Sequence, residues 1–155
     1  MKKIIIVYTL IILGISSNVD LHAQSTYKSS VGLAIDFGSG FTLVGPTYKY
    51  FTSPKLAISP EVLFGNGVTS ISGLFQYHGK FPNAKGLSWI AGGGVSTLLA
   101  TGASTILLRG STGLDFKLND TPLAFNFEWR PTLALNQGGG FLPGRFGLGI
   151  RYVIK

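Results

Sequence analysis

The 155-residue sequence has no cysteine, a single methionine and two histidines, and its charged residues amount to 12% of the chain. Each shortage excludes something. Without cysteine there is no disulfide framework, no thiolate metal site and no N-terminal cysteine to carry a lipid. Soluble globular domains carry about 25% charged residues, so this chain holds about half the charge usually used to face water. Long apolar runs are missing too: the longest, Ile4 to Ile15, spans twelve residues, short of the roughly 20 that a membrane-spanning helix needs. No segment carries a convincing helical period. Stretches such as Ala91 to Gly94, drawn from the 22 glycines of the chain, are weak helix formers.

What is present begins with the N-terminus, MKKIIIVYTLIILGISSNVDLHAQ. Lys2 and Lys3 precede the apolar run, and polar residues then lead to a small-residue site around Ala23, the layout of a secretory signal peptide. Cleavage is expected near Ala23 or Gln24, making residues 1–24 the signal peptide and 25–155 a single domain. The alternative, an uncleaved N-terminal anchor, requires a longer apolar run than Ile4 to Ile15. Removing Lys2, Lys3 and Asp20 leaves eleven Lys and Arg against five Asp and Glu. These charges are scattered singly along alternating segments rather than clustered on one patch, so no nucleic-acid partner is expected.

The closing stretch GRFGLGIRYVIK shows the organising pattern. Phe146, Leu148, Ile150, Tyr152 and Ile154 share one parity and Arg145, Gly147, Gly149, Arg151 and Val153 the other, the period-two signature of a strand between an apolar and a polar medium. The alternation recurs between clusters of turn residues. It predicts eight strands, approximately Ser30 to Gly38, Phe41 to Phe51, Leu56 to Phe64, Thr69 to His78, Leu87 to Ser96, Ile106 to Leu118, Leu123 to Leu133 and Arg145 to Ile154. The apolar parity gathers aliphatic and aromatic side chains. On the opposite parity a few charges are separated by small residues such as Gly32, Ala34, Ser72, Gly94, Ser111, Gly147 and Gly149.

That composition decides which face points inward. The polar face of a soluble barrel carries many long solubilising side chains, whereas roughly half of these positions are Gly, Ala or Ser. Small residues suit the interior of an eight-stranded barrel, which is just wide enough for side chains to fill it. The apolar face then points outward into lipid. Backbone groups in lipid must be satisfied internally, which favours closing strand eight onto strand one. Each segment is within a couple of residues of the 9–11 that a tilted membrane strand needs. An even strand number puts both chain ends on one side, the periplasmic side in outer-membrane barrels. The periplasmic turns are then Thr52 to Lys55, Gly79 to Gly86 and Asn119 to Pro122. The outward loops are Ser39 to Gly40, Gly65 to Val68, Thr97 to Thr105 and Asn136 to Gly144. Tyr48, Tyr50, Phe51, Tyr77, Trp89, Phe116 and Phe125 fall near the periplasmic turns, with Tyr152 on the last strand, as an interfacial aromatic girdle would.

With its signal peptide ending in HAQ, its eight alternating segments from Ser30 to Ile154 and its closing FGLGIRYVIK, the chain resembles the small outer-membrane β-barrels of the eight-stranded OmpA/OmpX-like type. The resemblance covers nearly the whole mature chain and is one of pattern. It implies an all-β, eight-stranded antiparallel up-and-down transmembrane barrel in the outer membrane. It also implies two partners, outer-membrane lipid and the insertion machinery that assembles such barrels. A monomer is expected. The family's assembly signal commonly ends in an aromatic residue, whereas this chain ends in Lys155 with Tyr152 as the nearest aromatic.

By parity the lumen receives Asp36, Lys49, Glu61, Arg109, Asp115, Lys117, Glu128, Arg130, Arg145 and Arg151, with Gln76 and Asn126 available for leftover donors and acceptors. Buried charges are tolerable when paired and hydrogen-bonded, so a network that plugs the barrel is expected, and a narrow water or ion path is the alternative. His78, the sole histidine after cleavage, is the only imidazole available as an acid or base near neutral pH. It has no Ser and carboxylate at a matching spacing, so no catalytic residue is assigned and an enzyme is not expected. Gly92 to Gly94 and Gly138 to Gly140 lack the Lys, Ser/Thr and helix of a phosphate site. No metal-ligand cluster and no cofactor are expected. The reading is a non-enzymatic barrel with a structural, envelope-stability or surface-interaction role. Its alternative is a soluble periplasmic carrier of lipocalin type, whose aromatic face would have to line a cavity.

Overall fold

The computed structural model describes residues 27–136 and 140–154. The signal-peptide segment 1–24 lies outside the described residues, as do Gly138 and Gly139 of the glycine cluster. Ten strands follow one another: β1 Ser29–Gly38, β2 Phe41–Phe51, β3 Leu56–Gly65, β4 Val68–Lys80, β5 Leu87–Ala100, β6 Ala103–Lys117, β7 Leu123–Trp129, β8 Thr132–Ala134, β9 Gly140–Leu142 and β10 Arg145–Ile154. All pairings are antiparallel, and β1 closes onto β10. Both β7 and β8 pair with β6, and β9 pairs with β8, so β7–β8 and β9–β10 each act as one stave. The result is a closed, eight-stranded, up-and-down antiparallel barrel. Closure leaves no sheet edge in the barrel body, and only the short β9 is paired on one side alone.

One end of the barrel, the hairpin end, carries the turns at 39–40, 66–67 and 101–102 together with residues 135, 136, 143 and 144. The other, the terminal end, carries the turns at 52–55, 81–86 and 118–122, with Tyr27 and Ile154. The β3–β4 turn is a two-residue Asn66–Gly67 pair, both with positive φ (52° and 73°), the backbone that matches the right-handed twist of a hairpin.

Several boundaries differ from the alternation pattern. The seventh segment is interrupted at Arg130 and Pro131, because proline has no N–H for the ladder. The β6 register nevertheless continues across the break, with Thr112 opposite Trp129 and Arg109 opposite Thr132, and Arg130 still points inward. The Thr97 to Thr105 loop shrinks to Thr101 and Gly102, since β5 and β6 stay paired up to Ala100 opposite Ala103. Both faces are apolar or small there, which erases the alternation on which the pattern depends. Asn136 to Gly144 contains β9, and one extra residue separates β9 from β10 relative to the facing stave, a β-bulge at Pro143–Gly144. Lastly, β4 extends to Val68 and Lys80, and Leu118 falls outside β6.

Burial follows parity along the staves, except through the glycine stretch 91–94 of β5. The exposed side chains include Leu33, Phe75, Val95, Ile106, Phe127 and Ile150, while the buried ones include two aspartates, two glutamates, four arginines and a lysine. The distribution is inverted relative to a water-soluble protein, in which charged side chains are almost never fully buried. Inward apolar residues also occur. Ala34, Leu43 and Leu63 form a small cluster near the hairpin end, with Phe41 and Val68 against it.

Candidate functional site: the charged lumen

Because one stave's inward positions stand beside those of its neighbours, charges far apart in sequence meet inside the barrel. They sort into two layers. Toward the hairpin end, Asp36, Glu61 and Glu128 face Arg109, Arg130 and Arg145. Arg109 donates to Asp36 and, at 3.3 Å, to Glu61. Arg130 Nη1 donates to Glu61 Oε1 at 2.9 Å and its Nε to Glu128 Oε2 at 3.2 Å, with Asp36 3.6 Å away. Arg145 Nε donates to Asp36 Oδ1 at 2.9 Å, and its Nη1 donates to the Gly38 carbonyl at 2.8 Å. Its guanidinium lies 3.8 Å from the centroid of the Phe41 ring, a cation–π contact. Glu128 is also held by Ser111 at 2.8 Å and by Gln76 Nε2 at 3.1 Å.

Toward the terminal end a single carboxylate, Asp115, accepts from both Lys49 Nζ and Arg151 Nη2 at 2.7 Å. Arg151 Nη1 donates to Asn126 Oδ1 at 2.7 Å, and His78 Nε2 lies 3.4 Å from Lys49 Nζ. The Tyr27 hydroxyl donates to Asp115 at 3.4 Å. Burial, followed by the Asp115 charge, pushes the Tyr27 phenol above its ordinary range. Its ring meets Phe51 edge-on at 5.1 Å, and Phe51 in turn contacts His78 at 4.8 Å.

Lys117 stands apart from both layers. It is half-buried at the terminal end and donates to the backbone carbonyls of Leu118 and Thr121. Nine of the ten charges read from parity are therefore side by side in the lumen: Asp36, Lys49, Glu61, Arg109, Asp115, Glu128, Arg130, Arg145 and Arg151. Two positions show how little room remains. A Cβ on Gly147 would lie 2.3 Å from Arg130 Nε, and one on Gly149 would lie 2.2 Å from Asn126 Oδ1. Glycine is what lets these polar side chains lie flat against the wall.

On the outside, Tyr48, Tyr50, Tyr77, Trp89, Phe116, Phe125 and Tyr152 are all exposed. Phe116 and Phe125 are direct cross-strand neighbours. Tyr77 and Trp89 pack at 5.4 Å, and the indole covers the bare backbone of Gly79 opposite it. Phe51, grouped with them by its place near a turn, points inward and is 7% exposed. It shares the parity of Lys49, a signal the sequence does contain. Tyr27 precedes the first strand and has no periodicity to reveal its role as a lid beneath Asp115.

The polar partner of His78 is Lys49, and no serine–histidine–carboxylate relay occurs in the hydrogen bonds of the described residues. Among those residues there is also no group of three or more metal-ligating side chains.

No protein family and no curated protein matches the chain by sequence. Among solved structures, the chain is similar to a de novo designed transmembrane β-barrel, with a TM-score of 0.58 and 12% identity over 84% of this chain and 99% of that one. It is similar to the designed barrel TMB2.3, solved by solution NMR, at 0.59 and 12% over 87% and 99%. The N-terminal β-barrel domain of Pseudomonas aeruginosa OprF matches at 0.54 and 15% over 83% and 100%. At these identities the likeness is one of fold, a small closed eight-stranded antiparallel β-barrel.

Proposed function

We propose that this chain is a non-enzymatic, integral outer-membrane β-barrel, exported by a cleaved signal peptide, with a plugged lumen and a structural, envelope-stability or surface-interaction role. The observation that carries the reading is the inversion of the barrel wall. Side chains such as Phe75 and Leu33 face outward at 65% and 56% exposure, while Lys49 and Asp36 are fully buried inside. A wall of this kind is matched to hydrocarbon outside, and a closed barrel satisfies its own backbone there. Of the seven girdle aromatics, Tyr48, Tyr50, Tyr77, Trp89 and Tyr152 suit a headgroup boundary, where one end of the ring is apolar and the other wet. The carrier alternative would need an aromatic-lined cavity through the barrel body, and that space holds ion pairs instead.

The plugged reading rests on contiguity. Glu128, Arg130, Glu61 and Asp36 are linked in one chain of contacts, and Asp115 ties Lys49 to Arg151 below them. An ion crossing the barrel would have to separate buried pairs, which costs several kcal/mol per uncompensated charge, about 3–5 in proteins studied by substitution. The test is to refold residues 25–155 in detergent and compare unboiled with boiled samples on a gel, then to record current across planar bilayers. The expected result is a detergent-dependent, heat-modifiable band and no steady conductance. A monomer soluble without detergent would overturn the membrane reading, and a steady single-channel current would replace the plug with a pore.

A further inference from the structure

The lumen changes character near the hairpin end. Along β6 the inward positions run Asp115, Ser111 and Arg109, then switch to Leu107, Thr105 and Ala103. Along β2 they run Lys49 and Thr47, then Leu43 and Phe41. Above the arginine layer the inward side chains thus line an open-mouthed cavity of about 490 Å³, chiefly Phe41, Val68, Leu98, Leu107, Ala134 and Leu142. That volume is within the range of about 300–1,000 Å³ for small-molecule sites. Its polar side chains, Asn66 and Thr105, are both uncharged. The neighbouring turns at 39–40, 66–67 and 101–102, together with residues 135, 136, 143 and 144, contain no charged residue either. Phe41 and Val68 of the cavity lining pack against the buried cluster of Ala34, Leu43 and Leu63, and the Arg145 guanidinium stacks on the Phe41 ring.

We propose that this vestibule is a binding site for a single hydrocarbon chain of an amphiphile, taken in tail first with its headgroup left at the Asn66 rim. An apolar mouth open at its end is a poor host for water, which needs two to four polar partners. It is equally poor for an ion, since none of the described residues that line it is charged. The ionic layer beneath gives it a bottom, so a chain can enter and be stopped. Asn66 Oδ1 accepts from the Thr42 amide at 3.3 Å, which leaves its amide NH2 available to a headgroup oxygen. The chemistry is shared by a membrane lipid tail and a dissolved fatty acid, and the experiment separates them.

The barrel is reconstituted in lipid nanodiscs with methyl-labelled leucine and examined by NMR. In one arm a nitroxide sits near the chain end of the phospholipid, and in the other on added decanoic acid. Outward-facing Leu108 and Leu114 report contact with the surrounding chains in either case. The expected result is saturable broadening of inward-facing Leu98 and Leu107 in at least one arm, which identifies the source. Ala134→Phe fills the cavity and should weaken that effect about tenfold or more while leaving Leu108 and Leu114 broadened. Ala103→Phe, placed at the rim, should act in the same direction and guards against a folding defect in the first variant. Unbroadened Leu98 and Leu107 in both arms, or broadening indifferent to both variants, would overturn the proposal. The inference rests on the membrane reading for its medium only. A chain that stayed in buffer without detergent would contradict that reading, and the decanoic acid titration would then be run in buffer, so the two failures are distinguishable.

Discussion

The two ionic layers of the lumen are built differently. The layer nearer the hairpin end sets three carboxylates against three guanidiniums, and both Asp36 and Glu61 are shared between arginines. The layer nearer the terminal end sets one carboxylate against two cations, with Asn126, His78 and Tyr27 around them. Redundancy protects the first, since an arginine that loses one partner often keeps another. The second depends on Asp115. Where buried charges are concerned, the number of alternative partners decides the cost of a substitution more than the length of any one bond.

Substitutions chosen to break that contrast have a definite order. Asp115→Asn preserves shape but leaves Lys49 and Arg151 without a buried counter-charge, and it should lower unfolding stability by about 3–5 kcal/mol, measured by urea titration of the barrel in lipid vesicles. Glu61→Gln should cost less, about 1–3 kcal/mol, because Arg109 keeps Asp36 and Arg130 keeps Glu128. A loss from Glu61→Gln equal to that from Asp115→Asn would contradict the redundancy argument. Gly147→Ala tests space rather than charge. Its Cβ would displace the Arg130 side chain, with an expected loss of about 1–3 kcal/mol by the same titration. Lys49→Met should be smallest, within about 1 kcal/mol and of either sign, because it leaves Asp115 paired one-to-one with Arg151 and replaces a buried ion by an apolar chain of similar length.

Tyr27 adds a pH dependence confined to the terminal layer. Its folded-state proton is held more tightly than the ordinary tyrosine proton, first by burial and then by Asp115. The unfolded chain therefore ionises first as pH rises. The associated stability is intact below about pH 10, the ordinary tyrosine value, and is lost progressively above it. Tyr27→Phe should flatten that alkaline decline, read from urea midpoints measured on either side of pH 10.

Much of the architecture was legible because a barrel wall between two media writes its faces into the chain with period two. The C-terminal strand is the clearest instance: Arg145, Gly147, Gly149 and Arg151 are all buried and Leu148, Ile150 and Tyr152 exposed. Legibility failed where the two media stop differing. Around Thr97 to Thr105 both faces are apolar or small, so two paired strand ends read as a loop. At Pro131 the side-chain pattern continues although the backbone bond does not, so the break is invisible to parity. Within the lumen, parity brought nine charges inside, but pairing depends on stagger between staves, which no single strand encodes. Lys117 shows the remaining gap. It has inward parity, yet the barrel ends beside it, and its ammonium turns to carbonyls of the adjoining turn.

The central claim is that the apolar, aromatic face of this barrel meets hydrocarbon, and the chain carries two built-in reporters of it. Its two tryptophans, Trp89 and Trp129, both lie on the outward face, at 38% and 42% exposure. The measurement is tryptophan fluorescence of the refolded barrel in vesicles of brominated phosphatidylcholine, beside quenching by aqueous iodide. Strong quenching by the brominated chains with little effect of iodide is the expected result. Full access to iodide with no quenching by brominated lipid would contradict the account.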